Sequence, residues 1–199
     1  MSARGSVAMA SVPKIQKAQQ LVGHQLILRN AGVEDAAFIV QLRTDPKKHR
    51  YLSPTSTEIA HQVTWLAQYA HTADQAYFVV EEKSGAKVGT VRIYQPFDDS
   101  FCFGSWVMKD GVPVTHAVES LLIVYHYALD TLGFNRSYFA VRKANRSVWR
   151  FMQRFGGVRT GETAADYLYA TQRRPVEASF KRHAALLPTP VKVIHDPVS

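Results

Sequence analysis

Residues 111–120 read Gly-Val-Pro-Val-Thr-His-Ala-Val-Glu-Ser, and they are the stretch best suited to hold an anionic ligand. Before them, residues 100–108 form an apolar run of strand length and composition. After them, Ala117, Leu121, Leu122, Tyr125, Ala128, Leu129 and Leu132 recur at helical spacing until Gly133. A strand therefore enters a short loop containing Gly and Pro, and the loop opens a helix. The first N–H groups of a helix lack intrahelical partners and carry the positive end of its dipole, which suits phosphate. The same pattern also serves as a plain connection, so the loop by itself assigns no ligand. Other chemistries find no support: the histidines show neither H-E-x-x-H nor paired metal spacing, and there is no G-x-S-x-G elbow or Walker loop.

The elements that must position this loop follow from periodicity. Residues 25–29 read as a first strand, followed by a helix with Glu34 and Asp35 in its first turn and Phe38, Ile39 and Leu42 on its apolar face. A basic, aromatic loop around Pro46 to Pro54 leads to a second helix, capped by Thr55 or Ser56, with Ile59, Val63, Leu66 and Tyr69 in its stripe. Residues 77–80 are continuous and apolar, as a central strand is. Residues 89–94 alternate, with Val91 and Ile93 opposed to Thr90, Arg92 and Tyr94, and Asp98-Asp99 turns the chain into the next strand. Beyond the central helix come a strand at 137–142, a helix capped by Asn145 and ended by Gly156-Gly157, and a last strand within 163–171. A short helix around 176–186 closes the pattern. The expectation is a mixed α/β (α+β) sheet of six to seven strands with helices on both faces. Residues 1–20 read as a flexible leader, 21–187 as a single domain and 188–199 as a proline-rich tail.

The 199 residues suffice for one well-cored domain, and the formal charge of +8 favours an anionic ligand or partner. The Lys and Arg residues are scattered rather than gathered in a stripe, which argues against nucleic acid. Cys102, the only cysteine, lies in an apolar strand pattern, so a reduced, cytoplasmic setting is expected. No apolar segment is long enough to span a bilayer. Oligomeric state is left open, a homodimer included.

This order of elements resembles the GNAT superfamily of acyl-CoA-dependent N-acyltransferases over roughly residues 25–169. It is similar in particular to the branch with ribosomal-protein N-terminal acetyltransferases and to GNAT proteins of polysaccharide gene clusters. The residues that carry the resemblance are Leu42-Arg43-Thr44-Asp45, Tyr51-Leu52-Ser53, Trp65-Leu66, Gly89-Thr90-Val91-Arg92-Ile93-Tyr94, Gly104-Ser105-Trp106, Glu119-Ser120, Val141-Arg142-Lys143 with Asn145, and Arg154-Phe155-Gly156. The resemblance implies a sheet splayed between the fourth and fifth strands, with the pantetheine arm of acetyl-CoA in the gap. Its amides would meet the backbone near Trp106, Val107 and Met108. Its pyrophosphate would meet the N–H groups of Val114, Thr115, His116 and Ala117, and Asn145, Val148 and Phe151 would flank the thiol. The usual loop offers glycines and a leading basic residue. Here Pro113 and Thr115 replace the glycines, and Lys109 is the nearest cation.

Acyl transfer to an amine requires a neutral amine, a stabilised oxyanion and a proton for the thiolate. The glutamate and tyrosine that many relatives use are missing, their places being taken by Ser105 and Met152. Ser105 and His116 are the expected catalytic residues, His116 because the helix dipole favours its neutral form. Tyr94, Glu162 and Asp166 are further proton acceptors to consider. Arg43, Tyr51, Arg92, Tyr94, Arg142 and Tyr167 are expected on the acceptor side, with Lys47 and Lys48 as additional cations. Arginine suits the diphosphate that a nucleotide-linked amino sugar would bring. The expected activity is acetyl-CoA-dependent N-acetylation of such a sugar by direct transfer. The alternatives are a protein or peptide acceptor, or a non-catalytic module of the same shape.

Overall fold

The computed structural model describes residues 12–187 and 190–195. The elements are β1 (Gln20–Val22), β2 (Leu26–Asn30), α1 (Ala36–Thr44), α2 (Ile59–His71), β3 (Gln75–Glu82), β4 (Lys87–Phe97), β5 (Ser100–Met108) and α3 (Val114–His126). There follow β6 (Arg136–Arg142), α4 (Arg146–Phe155), β7 (Val158–Glu162), β8 (Asp166–Gln172), α5 (Arg173–Arg182) and β9 (Lys192–Ile194). They build one sheet in the order β7-β8-β6-β5-β4-β3-β2-β1-β9, antiparallel except for β5 and β6. β3 is buried on both faces, as its unbroken apolar run predicts: Ala76, Phe78 and Val80 face the α3 side, while Tyr77 and Val79 face α1 and α2.

Three short strands escape the sequence pattern. β1 and β9 have three residues each, too few to show a period, and β9 falls in the segment read as a proline-rich tail. β7 is an exposed edge strand interrupted by Gly161, and it pairs with β8 as a hairpin where a single last strand was expected. The leader reading is corrected for its described part: Ile15 and Ala18 are buried in the main core, and Lys17 Nζ donates to the carbonyls of Tyr69, Ala70 and Thr72 at the end of α2. Residues 1–11 lie outside the described residues.

Two helix starts differ from expectation. Glu58 is the N-cap of α2, and Ser56 instead accepts the Glu58 N–H at 3.1 Å. Asn145 occupies the N-cap position of α4, but its side chain makes no capping bond. Gly156 ends α4 at φ +121°, a conformation that glycine takes without a Cβ penalty.

The parallel pairing of β5 with β6 covers only Ser100–Arg136, Phe101–Ser137 and Cys102–Tyr138. Beyond those pairs the two strands diverge. Two features hold the split open. On the β6 side, Tyr125 of α3 meets Ser137 Oγ at 2.7 Å, and Ser137 meets Thr171 Oγ1 at 2.7 Å, so a buried hydroxyl chain pins β6 and β8 to α3. On the β5 side, Arg92 pairs with Gly104 and Thr90 with Val107, which leaves Ser105 and Trp106 opposite Val91 alone. That bulge puts Ser105 at φ +48°, and Thr90 Oγ1 donates to the Ser105 carbonyl at 2.8 Å. A bulge bends and twists its strand away from the mean sheet.

Candidate active site

A cavity of about 540 Å³ passes through the split. One end is walled by Phe103, Trp106, Val141, Asn145, Val148 and Met152, the other by Arg43, Tyr51, Ser53, Tyr94, Arg142 and Asp166, with Gly104 and Ser105 between. The β6-facing edge of β5 has no strand partner from Phe103 onward, so it can pair with an amide-bearing ligand arm.

On the first side, Trp106 is anchored by Nε1 donating to Ser120 Oγ of α3 at 3.0 Å, and its ring lies 5.7 Å from Phe151. Phe151 therefore buttresses Trp106 and is not itself on the cavity wall. Val107 and Met108 also lie off the wall, Val107 being buried in the sheet. At the start of α3, Val114 is 78% exposed and Thr115 is exposed beside it, while Ala117 is half-buried. Pro113 stands at the N-cap, and its carbonyl accepts the His116 N–H at 2.9 Å. The N–H groups left free for an anion are those of the exposed first residues.

His116 is the clearest correction. It is only 7% exposed, with Nε2 lying 3.1 Å from Gln25 Oε1 and Nδ1 3.6 Å from Glu82 Oε1. It faces the β1–β2 turn and the end of β3 and is not on the cavity wall. Glu119 likewise does not act on its own helix start: the Gln25 and Leu26 N–H groups donate to its Oε1 at 2.8 and 3.1 Å, tying the β1–β2 turn to α3.

On the second side, Arg43 secures the loop after α1, with Nε donating to Thr55 Oγ1 and Nη2 to Ser53 Oγ, each at 2.8 Å. Arg142 Nη1 donates to Asp166 Oδ2 at 3.1 Å, and Asp166 is the sole carboxylate on the wall. Tyr94 lies on the wall with its phenol pushed up by burial and by the neighbouring Cys102 thiol. Arg92 and Tyr167, both expected here, do not reach the cavity. Arg92 lies behind Tyr94, its guanidinium carbon 4.4 Å from that ring and 5.0 Å from Trp65, and it donates to Gln75. Tyr167 is turned toward Trp149 and Arg159. Glu162 pairs with Arg159 and Lys143. Sequence reading overlooked Ser53, Cys102 and Tyr138. Strand alternation places Cys102 on the same face as Gly104, and this is the signal that could have found it. Among the described residues, no three His, Cys, Asp or Glu residues gather as a metal site.

A helix-flanked sheet split beside an open helix start is the architecture of an acyl-CoA-dependent acetyltransferase. The sequence matches the acetyltransferase (GNAT) domain over residues 25–158, and the chain belongs to the GNAT family. Acetyl-CoA is its acetyl donor, and coenzyme A is released. Among solved structures it is similar to apo FdhC, a nucleotide-linked sugar GNAT, at 30% identity and a TM-score of 0.75, covering 85% of this chain and 98% of that one. A GCN5-related N-acetyltransferase from Brucella melitensis shares the fold at 17% identity and a TM-score of 0.70, covering 89% and 90%. So does the spermidine N-acetyltransferase SpeG from Vibrio cholerae, at 16% identity and a TM-score of 0.66, covering 77% and 96%. None of the curated proteins matches the sequence. No helix among the described residues is long and apolar enough to cross a membrane.

Proposed function

We propose that the acceptor is the amino group of an amino sugar carried on a nucleotide diphosphate, acetylated by direct transfer in a ternary complex. The observation that carries this reading is the cavity itself, whose far end from Trp106 bears Arg43, Arg142, Tyr51, Tyr94 and Asp166. Arg43 engages through Nε and Nη2 and Arg142 through Nη1, so each guanidinium keeps donors for a diphosphate. The similarity to FdhC supports the same acceptor class.

Acetyl-CoA supplies the acetyl group as a thioester. The open edge of β5 would hold the arm that carries it, and the first N–H groups of α3 would receive its phosphates. Trp106, Val148 and Met152 keep water from that end. Asp166 would attract the acceptor ammonium, whose first proton passes to water or to this carboxylate before attack. As the N–C bond forms and the C–S bond breaks, the second amine proton goes to the departing thiolate, which leaves as the thiol of coenzyme A. Ser105, held on the bulge between the two ends of the cavity, offers its hydroxyl to the reacting groups. Most of the acceleration in this scheme comes from positioning.

The test is thiol release from acetyl-CoA in the presence of nucleotide-linked amino sugars, free amino sugars, basic peptides and spermidine. Release stimulated only by the nucleotide-linked sugars is the expected result. Stimulation by peptides or polyamine instead would overturn the proposed acceptor.

A further inference from the structure

The loop leading into α3 is a poor phosphate cradle by its own residues. Pro113 has no N–H to donate. Asp110 stands four residues ahead of the first residue of α3, within about 14 Å even if the chain were extended, and the turn at Gly111 shortens that span. A carboxylate there is a charge of the wrong sign for a diphosphate at the helix start, an opposition that salt screens more as the two stand further apart.

The tertiary structure brings two cations to this acid from a different part of the chain. Lys48 Nζ contacts Asp110 and also lies 3.1 Å from Asp45 Oδ2, while Lys47 Nζ lies 3.1 Å from Asp110 Oδ2. The two lysines differ in setting. The Lys47 side chain is 79% exposed, but that of Lys48 is only 17% exposed. Asp45, the C-cap of α1, also accepts the Lys47 N–H at 2.8 Å, which fixes the backbone carrying both lysines. Burial draws the Lys48 ammonium down, but its bonds to Asp110 and Asp45 outweigh this and hold it above the ordinary lysine value. It is a preorganised cation held against Asp110, which stands on the loop into α3, and it lies on the segment that also supplies Tyr51 and Ser53 to the cavity wall.

We propose that Lys48, seconded by Lys47, is a cofactor-phosphate ligand supplied in trans from the loop after α1, parked on Asp110 until coenzyme A arrives. The lysines replace the basic residue that the α3 loop lacks, and Asp110 keeps them in place in the free protein. This rests on acetyl-CoA as donor and is independent of the identity of the acceptor. Because the same loop walls the acceptor end of the cavity, seating the phosphates also settles that end.

The experiment measures binding, without an acceptor, of acetyl-CoA and of the phosphate-free donor S-acetylpantetheine to the full chain. Calorimetry serves for the first ligand and ligand-observed NMR for the second. Lys48→Met is expected to weaken acetyl-CoA about tenfold while leaving S-acetylpantetheine within about twofold. Asp110→Asn, which removes the opposing charge and leaves both lysines, is expected to tighten acetyl-CoA by about threefold. A purely structural latch predicts that both variants weaken both ligands, and that result overturns the proposal, as does indifference of acetyl-CoA to both substitutions. A wild type that binds no acetyl-CoA overturns the reading of the whole site and the lysine's role with it.

Discussion

Tyr94 lies directly over Gly104. A Cβ added at position 104 would sit 3.0 Å from the Tyr94 hydroxyl and 3.1 Å from Cε1, so the ring keeps this place on the cavity wall against a residue without a side chain. Tyr94 is backed in turn by the Arg92 guanidinium, which is itself stacked on Trp65. This end of the cavity, the proposed acceptor chamber, is therefore shaped by a glycine, an aromatic ring and a cation in successive layers.

Gly104→Ala tests that arrangement. The methyl group must push the half-buried Tyr94 ring aside by a few tenths of an ångström, an overpacking expected to cost about 1 kcal/mol. In steady-state kinetics KM for the acceptor should rise, while KM for acetyl-CoA stays near wild type. Unchanged acceptor kinetics would show that Tyr94 does not shape the chamber.

Ser105 adopts φ +48°, which glycine takes freely and β-branched residues resist. Ser105→Gly is expected to melt at or slightly above the wild-type temperature and to lose about a hundredfold in kcat, the lower end of the cost of one polar contact made in the transition state. Ser105→Val should lower the melting temperature by several degrees, roughly what 1–2 kcal/mol of backbone strain brings. Full activity of Ser105→Gly would remove the hydroxyl from the mechanism.

His116→Ala should leave the shape of the kcat–pH profile intact, because the imidazole faces Gln25 and Glu82 instead of the cavity. Its effect belongs in stability, at about 1–2 kcal/mol for a lost buried hydrogen bond and its packing. Abolished turnover with a normal melting temperature would contradict this placement.

Asp35 is fully buried, and it accepts bonds from Arg29, from the Gly32 N–H and from Lys87. Burial by itself would raise its carboxyl pKa, but these donors outweigh burial and hold it below the usual carboxylate range. Its stabilising contribution is therefore complete above about pH 4, the unfolded-state value, and is lost as pH falls through the depressed native value. Asp35→Asn leaves Lys87 without its carboxylate and Arg29 with Glu81 and Glu34 only, which should cost about 1–3 kcal/mol at neutral pH. It should also flatten the acid limb of the melting-temperature profile, as differential scanning calorimetry from pH 3 to 7 can show.

Much of this protein is written locally. The continuous run of β3, the alternation of β4, the Asp98-Asp99 turn and the helical stripe of α3 depend on residues close in sequence, and each forms where its period and punctuation place it. The strand–loop–helix start at β5 and α3, the proposed phosphate site, belongs to the same class. What chain order could not reveal is which side chain of a loop or helix start turns toward which neighbour. His116 and Thr115 are adjacent, yet one is buried against the β1–β2 turn and the end of β3 while the other is open at the helix start. Arg92 and Tyr94 share a strand face, yet only Tyr94 reaches the cavity, because Arg92 is taken up by Trp65 and Gln75. Lys48 and Asp110 are 62 positions apart and meet only when the sheet and α1 are assembled. Backbone hydrogen bonding and apolar burial act over a few residues and leave a readable period. Side-chain pairing and the width of the strand split depend on contacts between distant segments, so they were decided by the tertiary structure alone.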